Sequence, residues 1–310
     1  MRTNKTFRNL DQQIDILKSK GLIINDVKYA KNVLFRENYY FLNGYRHLFL
    51  KSGTDKNFIE KTTFEELYSM FNFDRAVRNI LFKYLLIIEN NTKSIISYEL
   101  SKKYGFREKD YLQSTNFNQD PIHRRQVDDL IYKMKRQIRV NGMKHAATGH
   151  YMANYGYVPM WVLVKVLSFG LVSELFSILK PEDQLEVSNY YDLDTLTMKS
   201  YFHILANFRN LCAHEDIVYN HRTEKTISDS HFHYKLGIPM TNGEYIYGKN
   251  DLFALIIIFK CMLTAEEFTK MMTALDYEIK EIAEKVTSIN INKILNAMGI
   301  PKNYIELINL

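Results

Sequence analysis

The sequence predicts an all-α fold, and three observations carry that reading. Gly (12) and Pro (5) are scarce among 310 residues, which disfavours a turn-rich all-β architecture. Between residues 63 and 103, Phe64, Leu67, Phe71, Val77, Leu81, Leu85, Ile88 and Ile95 recur near helical spacing, with no Gly or Pro before Gly105. Other apolar runs are bounded by helix punctuation, such as Gly21, Asp26 and Pro181. An apolar fraction of 46% and a charged fraction of 25% provide for a large core, in one domain or two of ordinary size.

The elements follow in order. Residues 10–20 read as a short helix ended by Gly21, which tolerates a left-handed cap. Asp26 is placed to cap a second helix through about Arg36. The aromatic run Tyr39-Tyr40-Phe41-Leu42-Asn43-Gly44-Tyr45 comes next, and a loop at Ser52-Gly53 and Asp55-Lys56 closes an N-terminal helical extension, 1–55. The main helical domain, 56–310, opens with the long helix over 63–103, with a bend or break expected near Phe73-Asp74. A basic, polar insertion spans about 105–157. Within it Asp120-Pro121 marks a break, 122–139 a helix, and Asn141-Gly142 and Thr148-Gly149 loops.

Two apolar helices follow, 159–167 and 171–180, broken at Ser168-Phe169-Gly170 and stopped by Pro181. Residues 194–216 form a further helix. From His231 to Tyr247 a weak alternation around Asn242-Gly243 predicts a small β-hairpin. Helices resume over 251–286, led by Leu252 to Phe259, and a last short helix runs from 291 to 298.

Composition narrows the functional classes. Two cysteines, Cys212 and Cys261, exclude a disulfide scaffold and argue against a thiolate zinc site. His231 and His233 lack an evident third ligand, so neither metal nor cofactor is expected. The first thirty residues are charged and polar, unlike a secretory signal. Met160–Leu179 is the most apolar stretch, but Lys165, Ser168, Gly170, Ser173 and Glu174 interrupt it. A buried helix pair accounts for it better than a membrane span. A reducing cytoplasm is the expected location.

The net charge is +6, and residues 101–150 carry all of it: eleven Lys or Arg stand against five Asp or Glu. Arg124, Arg125, Lys133, Lys135, Arg136, Arg139 and Lys144 form a candidate RNA-binding surface. Charge alone does not separate that reading from a solvated surface segment.

One constellation carries chemistry, Phe208-Arg209-Asn210-Leu211-Cys212-Ala213-His214. Arg209 and His214 fit the pattern Arg, four to six residues, His. Alone the pattern is weak: the chain's Arg and His content yields roughly one match by chance, and Arg139 with His145 also fits. On a helix Asn210 and His214 share a face, with Arg209 about 140° round from His214. A two-fold dimer of such helices builds a symmetric polar cleft. The residue types suit RNA cleavage: a 2′-hydroxyl attacks the adjacent phosphate, histidine moves the proton, and arginine stabilises the phosphorane. A structural patch, with His214 bonded to a carbonyl, is the competing reading. Glu89 and Lys93, four apart, read as an intrahelical ion pair, Cys212 as core, and Trp161, Tyr39, Tyr40 and Tyr45 as packing rather than base-stacking residues.

Six segments, in order, resemble the bacterial abortive-infection (Abi-like) family. They are Asp11-Gln12-Gln13-Ile14 with Gly21-Leu22-Ile23-Ile24; Tyr39 to Tyr45; Phe73-Asp74-Arg75-Ala76-Val77-Arg78 with Ile88-Glu89; Pro159-Met160-Trp161 with Ser168-Phe169-Gly170; Arg209-Asn210-Leu211-Cys212-Ala213-His214 with Asn220; and Met298-Gly299-Ile300-Pro301. The resemblance covers about residues 8–305 and sets the Arg139/His145 match aside. It implies a HEPN-type helical bundle and a metal-independent endoribonuclease toxin of phage defence, usually dimeric. Arg209 and His214 would be catalytic, with Asn210 positioning the phosphate or the histidine. It also implies, for some relatives, a restraining small non-coding RNA, for which the basic 122–144 segment is the candidate surface. Glu215 stands where the family often has a second His, which places an acid beside the site. The alternative functions are a non-catalytic RNA-binding protein and a protein-interaction module.

Overall fold

The computed structural model describes residues 6–52, 55–142 and 144–310; Gly53 of the expected loop lies outside them. The chain is 68% helical, with a single two-stranded antiparallel sheet among the described residues, so the all-α expectation with a small hairpin holds. The first three helices are α1 (Leu10–Ser19), α2 (Val27–Glu37) and α3 (Tyr39–Asn43). Asn9 and Gln12 form a reciprocal capping box at the start of α1. At its end Leu22 N–H bonds Leu17 C=O and Gly21 N–H bonds Lys18 C=O, with Gly21 at φ +87°. This is the glycine-terminated closure anticipated there. Asp26 caps α2 through Tyr29 N–H. The aromatic run makes α3 and the turn after it.

The long helix α4 (Phe64–Tyr104) is continuous over 41 residues, so no break interrupts it near Phe73-Asp74. An interior Asp weakens a helix when its carboxylate competes for local backbone amides. Here the Asp74 carboxylate is buried and taken up by tertiary donors instead. Thr63 and Glu66 form the capping box that starts α4, and Gly105 (φ +89°) follows its end.

The basic segment folds as α5 (Glu108–Tyr111), α6 (Arg124–Asn141) and α7 (Ala146–Tyr155). The loop expected at Thr148-Gly149 is instead inside α7. The buried Thr148 hydroxyl bonds the carbonyls of Asn141 and His145, and Gly149 N–H reaches His145 C=O. The apolar pair is α8 (Met160–Leu163), continued by a 3-10 turn, and α9 (Phe169–Ile178), capped by Ser168. Pro181 does more than stop α9: as the first residue of α10 (Pro181–Asn189) it starts the next helix, where a missing N–H is harmless.

Helix α11 (Thr195–Ala213) carries the motif and ends before the expected 216. The hairpin is shorter than expected. Residues His231–Lys235 are helical (α12), held by a box between Ser230 and His233, and only β1 (Met240–Thr241) and β2 (Glu244–Tyr245) pair. Asn242 (φ 53°) and Gly243 (φ 82°) supply the two left-handed residues of that tight turn. The helices expected over 251–286 are α13 (Leu252–Met262) and α14 (Ala265–Lys285), the second started by a capping box between Thr264 and Glu267. Last is α15 (Ile291–Met298).

In packing, α4 touches α14, α11, α8 and α10, and α11 also packs on α9 and α13. Every residue of α13 from Leu252 to Phe259 is buried, as befits a helix apolar all round. Buried side chains from Ile14 to Leu307 belong to one cluster, so residues 10–50 share a core with the remainder. No helix of the described residues is long and apolar enough to cross a membrane.

The C-terminal turn of α15 rests on Gly299 (φ +73°), where an added Cβ would lie 2.2 Å from Oδ2 of the buried Asp251. Gly299→Ala is expected to destabilise the protein by about 2 kcal/mol or more, from left-handed backbone strain plus the overlap. Urea unfolding checks this; an unchanged midpoint refutes the packing described.

Candidate functional site

The motif sits at the last turns of α11, and its residues diverge in role. Arg209 turns toward α4, where its Nε donates to Glu89 Oε2 at 3.0 Å. Lys93 Nζ donates to the other oxygen, Glu89 Oε1, at 2.6 Å. Glu89 and Lys93 are buried, and the Arg209 side chain is 27% exposed. The expected Glu89–Lys93 ion pair is therefore present, with Arg209 as a third member. Two cations share one carboxylate. Glu89 holds Arg209 by Nε alone, so the terminal guanidinium nitrogens have no intramolecular hydrogen bond among the described residues.

His214 is the C-cap of α11 rather than part of it. Its N–H bonds Asn210 C=O at 3.0 Å, Glu215 N–H bonds Cys212 C=O, and Asp216 N–H bonds Leu211 C=O. This repeats the closure of α1, with Glu215 (φ 58°) in the left-handed position that Gly21 fills there. A non-glycine residue at that position is strained. The His214 and Asn210 side chains are exposed, and neither has a side-chain hydrogen bond among the described residues; the carbonyl-bonded histidine of the competing reading is not what the geometry gives. Cys212, the inward residue of the same turn, is buried. Burial pushes its thiol up to about 12, consistent with core rather than reactive chemistry.

His214 opens onto a groove of about 1050 Å³ between the end of α11, α4 and the segment from α2 to residue 47. Arg36, Arg46, His47, Arg75 and Arg78 line it, as do Glu37, Glu215 and Asp216. Arg75 is paired with Glu37 at 2.8 Å. Arg46 Nη1 donates to Asn43 Oδ1, while its buried Nε has no partner. Sequence reasoning did not single out Arg36, Arg46 or His47. The only available signal was the pair Arg46-His47 directly after the aromatic run, whose proximity to His214 is a tertiary fact.

The groove is held together by Asp74. Its carboxylate accepts from Tyr45 Oη at 2.7 Å, Arg78 Nη1 at 3.1 Å, and the amides of Val218 (3.3 Å) and Tyr219 (2.8 Å). Arg78 Nη1 also donates to Asp216 C=O at 2.7 Å. Burial pushes the Asp74 carboxyl upward against these donors. Since every partner donates, the arrangement is that of the acceptor-only carboxylate. Tyr45 is thus buried and structural, as expected; Tyr39 is half-buried, whereas Tyr40 and Trp161 are exposed.

The candidate RNA-binding residues lie on or just past α6. Val127, Leu130, Ile131 and Met134 face the core, while Arg124, Arg125, Lys135, Arg136, Arg139 and Lys144 are exposed. Lys133 differs, being paired with both Asp129 and Glu174 at 2.9 Å. His231 and His233 diverge. His231 is exposed, whereas His233 is buried with Nδ1 accepting from Ser230 N–H and Nε2 on Gly248 C=O, so neither nitrogen is open to a metal.

A family model described as Abi-like protein matches residues 32–220. The chain belongs to the Abi-like family, whose name denotes abortive infection, a phage-defence role. The match includes the aromatic run, α4, the Trp161 segment and the whole Arg209–His214 motif. No curated protein and no solved structure matches the chain.

Asp74→Ala should cost about 3–5 kcal/mol, because it leaves Arg78 buried and unpaired. Denaturant unfolding reads this directly, and a loss under about 1 kcal/mol would mean the hub is dispensable. Burial also holds His233 below its ordinary 6.5. The unfolded chain then takes up a proton before the folded one, so stability is full above about pH 6.5 and declines as pH falls. His221 shifts the same way. Melting curves across this range should therefore drop less steeply for His233→Gln than for wild type.

Proposed function

We propose that the chain is a metal-independent endoribonuclease of the HEPN class, acting as the growth-arresting toxin of an abortive-infection system. The observation that carries this reading is His214: an exposed imidazole with no side-chain hydrogen bond among the described residues, fixed by backbone bonds at the end of α11, facing an arginine-lined groove. A base that must exchange protons needs that freedom. In the proposed reaction the ribose 2′-oxygen attacks the adjacent phosphorus, and His214 takes the 2′-hydroxyl proton. The 5′-oxygen leaves and is protonated. Arg209, anchored by Glu89, offers its terminal N–H fork to the phosphorane, and Asn210 orients the reacting groups. The product ends are a 2′,3′-cyclic phosphate and a 5′-hydroxyl.

Two protomers would bring their α11 ends together in one cleft, since Arg209 and His214 leave the helix in different directions. The extension 1–55 would close one wall of each groove. The exposed cations of α6 are the proposed surface for substrate or for a restraining small RNA.

The test is cleavage of RNA by purified protein in excess EDTA. Wild type should cut, while His214→Ala and Arg209→Ala should each lose about 10²-fold or more. If all three are equally inert yet bind RNA tightly, the non-catalytic RNA-binding reading replaces this one. If none binds RNA at low salt, where phosphate contacts are strongest, the chain is an interaction module.

A further inference from the structure

A second surface has no part in the His214 groove. The rings of His150, Tyr151, Tyr155, Tyr157, Phe106 and Trp161 form a continuous chain over α7, the start of α8 and the turn after α4. Successive centroids are 5.7 Å (His150–Tyr151), 5.3 Å (Tyr151–Tyr155), 6.2 Å (Tyr155–Tyr157), 5.7 Å (Tyr157–Phe106) and 6.1 Å (Phe106–Trp161) apart. Such rings ordinarily end up buried. Here Tyr155 is 57%, Trp161 45% and Phe106 40% exposed. Trp161 is the chain's only tryptophan, and α8 sends its neighbours Met160, Val162 and Leu163 into the core while leaving it outside. The Arg107 guanidinium lies 5.7 Å from the Phe106 centroid and 5.4 Å from that of Tyr157.

The charge around this patch selects its occupant. Helices α7 and α8 both pack on α6, which carries the exposed Arg124, Arg125, Lys135, Arg136 and Arg139. Exposed rings with the Arg107 guanidinium set against two of them, next to a cationic helix, suit a polyanion with flat apolar parts. Only an unpaired strand has this character with its π-faces free, because a duplex hides them in its stack.

We infer that the Phe106–Tyr155–Trp161 patch is a stacking platform for single-stranded RNA, with bases laid on its rings and phosphates held by Arg107 and the α6 cations. This rests on the reading of the chain as an RNA-acting protein, and names unpaired RNA as its substrate class. It does not depend on the chemistry of His214.

The tryptophan supplies its own reporter. Full-length protein carrying His214→Ala, so that no RNA is cut, is titrated with a twelve-nucleotide oligouridylate and with a duplex of equal length while Trp emission is followed. Saturable quenching by the single strand is expected, at an affinity about tenfold or more above the duplex. Tyr155→Ala and Phe106→Ala should each weaken it about tenfold or more, whereas Tyr155→Phe, which retains the ring, should bind like the parent. The Tyr155 side chain makes no hydrogen bond among the described residues, so its variants should keep the parent's circular dichroism. RNA binding that leaves Trp161 emission unmoved, equal affinity for duplex, or Tyr155-dependent self-association without RNA binding would each overturn the platform. Loss of cleavage chemistry in wild type would leave this binding intact, so the two failures are distinguishable.

Discussion

The Asp74 carboxylate is the point on which three separate parts of the chain converge. It is buried in the first third of α4, and it binds Tyr45 from the N-terminal segment, Arg78 one turn along its own helix, and the amides of Val218 and Tyr219 beyond α11. A buried carboxylate is tolerable only when its lone pairs are filled, and these four partners fill them. The consequence is directional. Arg78, held by Asp74, reaches on to Asp216 C=O, so the residues after His214 are fixed to the central helix. Gly44 adds to the same junction, since a Cβ there would lie 2.6 Å from Ile217 Cδ1. The groove wall and the histidine are thereby tied to one rigid element.

This geometry gives physical content to segments whose family likeness is legible in sequence. Tyr39 to Tyr45 contains a glycine packed closely against Ile217 and a tyrosine that reaches Asp74. Phe73 to Arg78 contains the hub itself, its Arg78 partner, and Arg75, which pairs with Glu37 at the end of α2. The helices were legible where caps, periodicity and punctuation agreed, as in α1, α2, α4 and α9. They were misread where a side chain had a tertiary task that composition does not reveal. Asp74 looked like a helix breaker and Thr148 like loop; each instead serves a buried bond. At the candidate site, the motif was legible as a pattern, and its sorting into Arg209 toward α4 and His214 toward the groove was not. That sorting depends on where α11 ends, and the end is set by backbone closure rather than by a residue type that announces it.

The grouping of Arg209, Glu89 and Lys93 has an unusual charge balance. One carboxylate serves two cations in a largely buried setting, so the cluster retains an excess positive charge close to the surface end of Arg209. Burying uncompensated charge is unfavourable, and the excess would be relieved by an anion at the exposed terminal nitrogens. A cluster arranged only for stability would do better with one cation per carboxylate. The positive field of the cluster is strongest at the partly exposed Arg209, with Lys93 buried behind it.

His214 shows the complementary strategy. Its position comes from the main chain, through the three hydrogen bonds that close α11, and its imidazole is left with no side-chain bond among the described residues. Glu215 accepts a left-handed backbone that glycine would adopt without strain, and the closing bonds hold it there. The backbone thus sets where the residue lies, and its imidazole is left open to the groove. For a residue that merely packs, such strain has no use, since a glycine at 215 would close the helix as well. The acid at 215 also lines the groove beside His214, so the groove lined by Arg36, Arg46, Arg75 and Arg78 carries a carboxylate as well, on a residue whose backbone conformation is part of the same cap that positions the histidine.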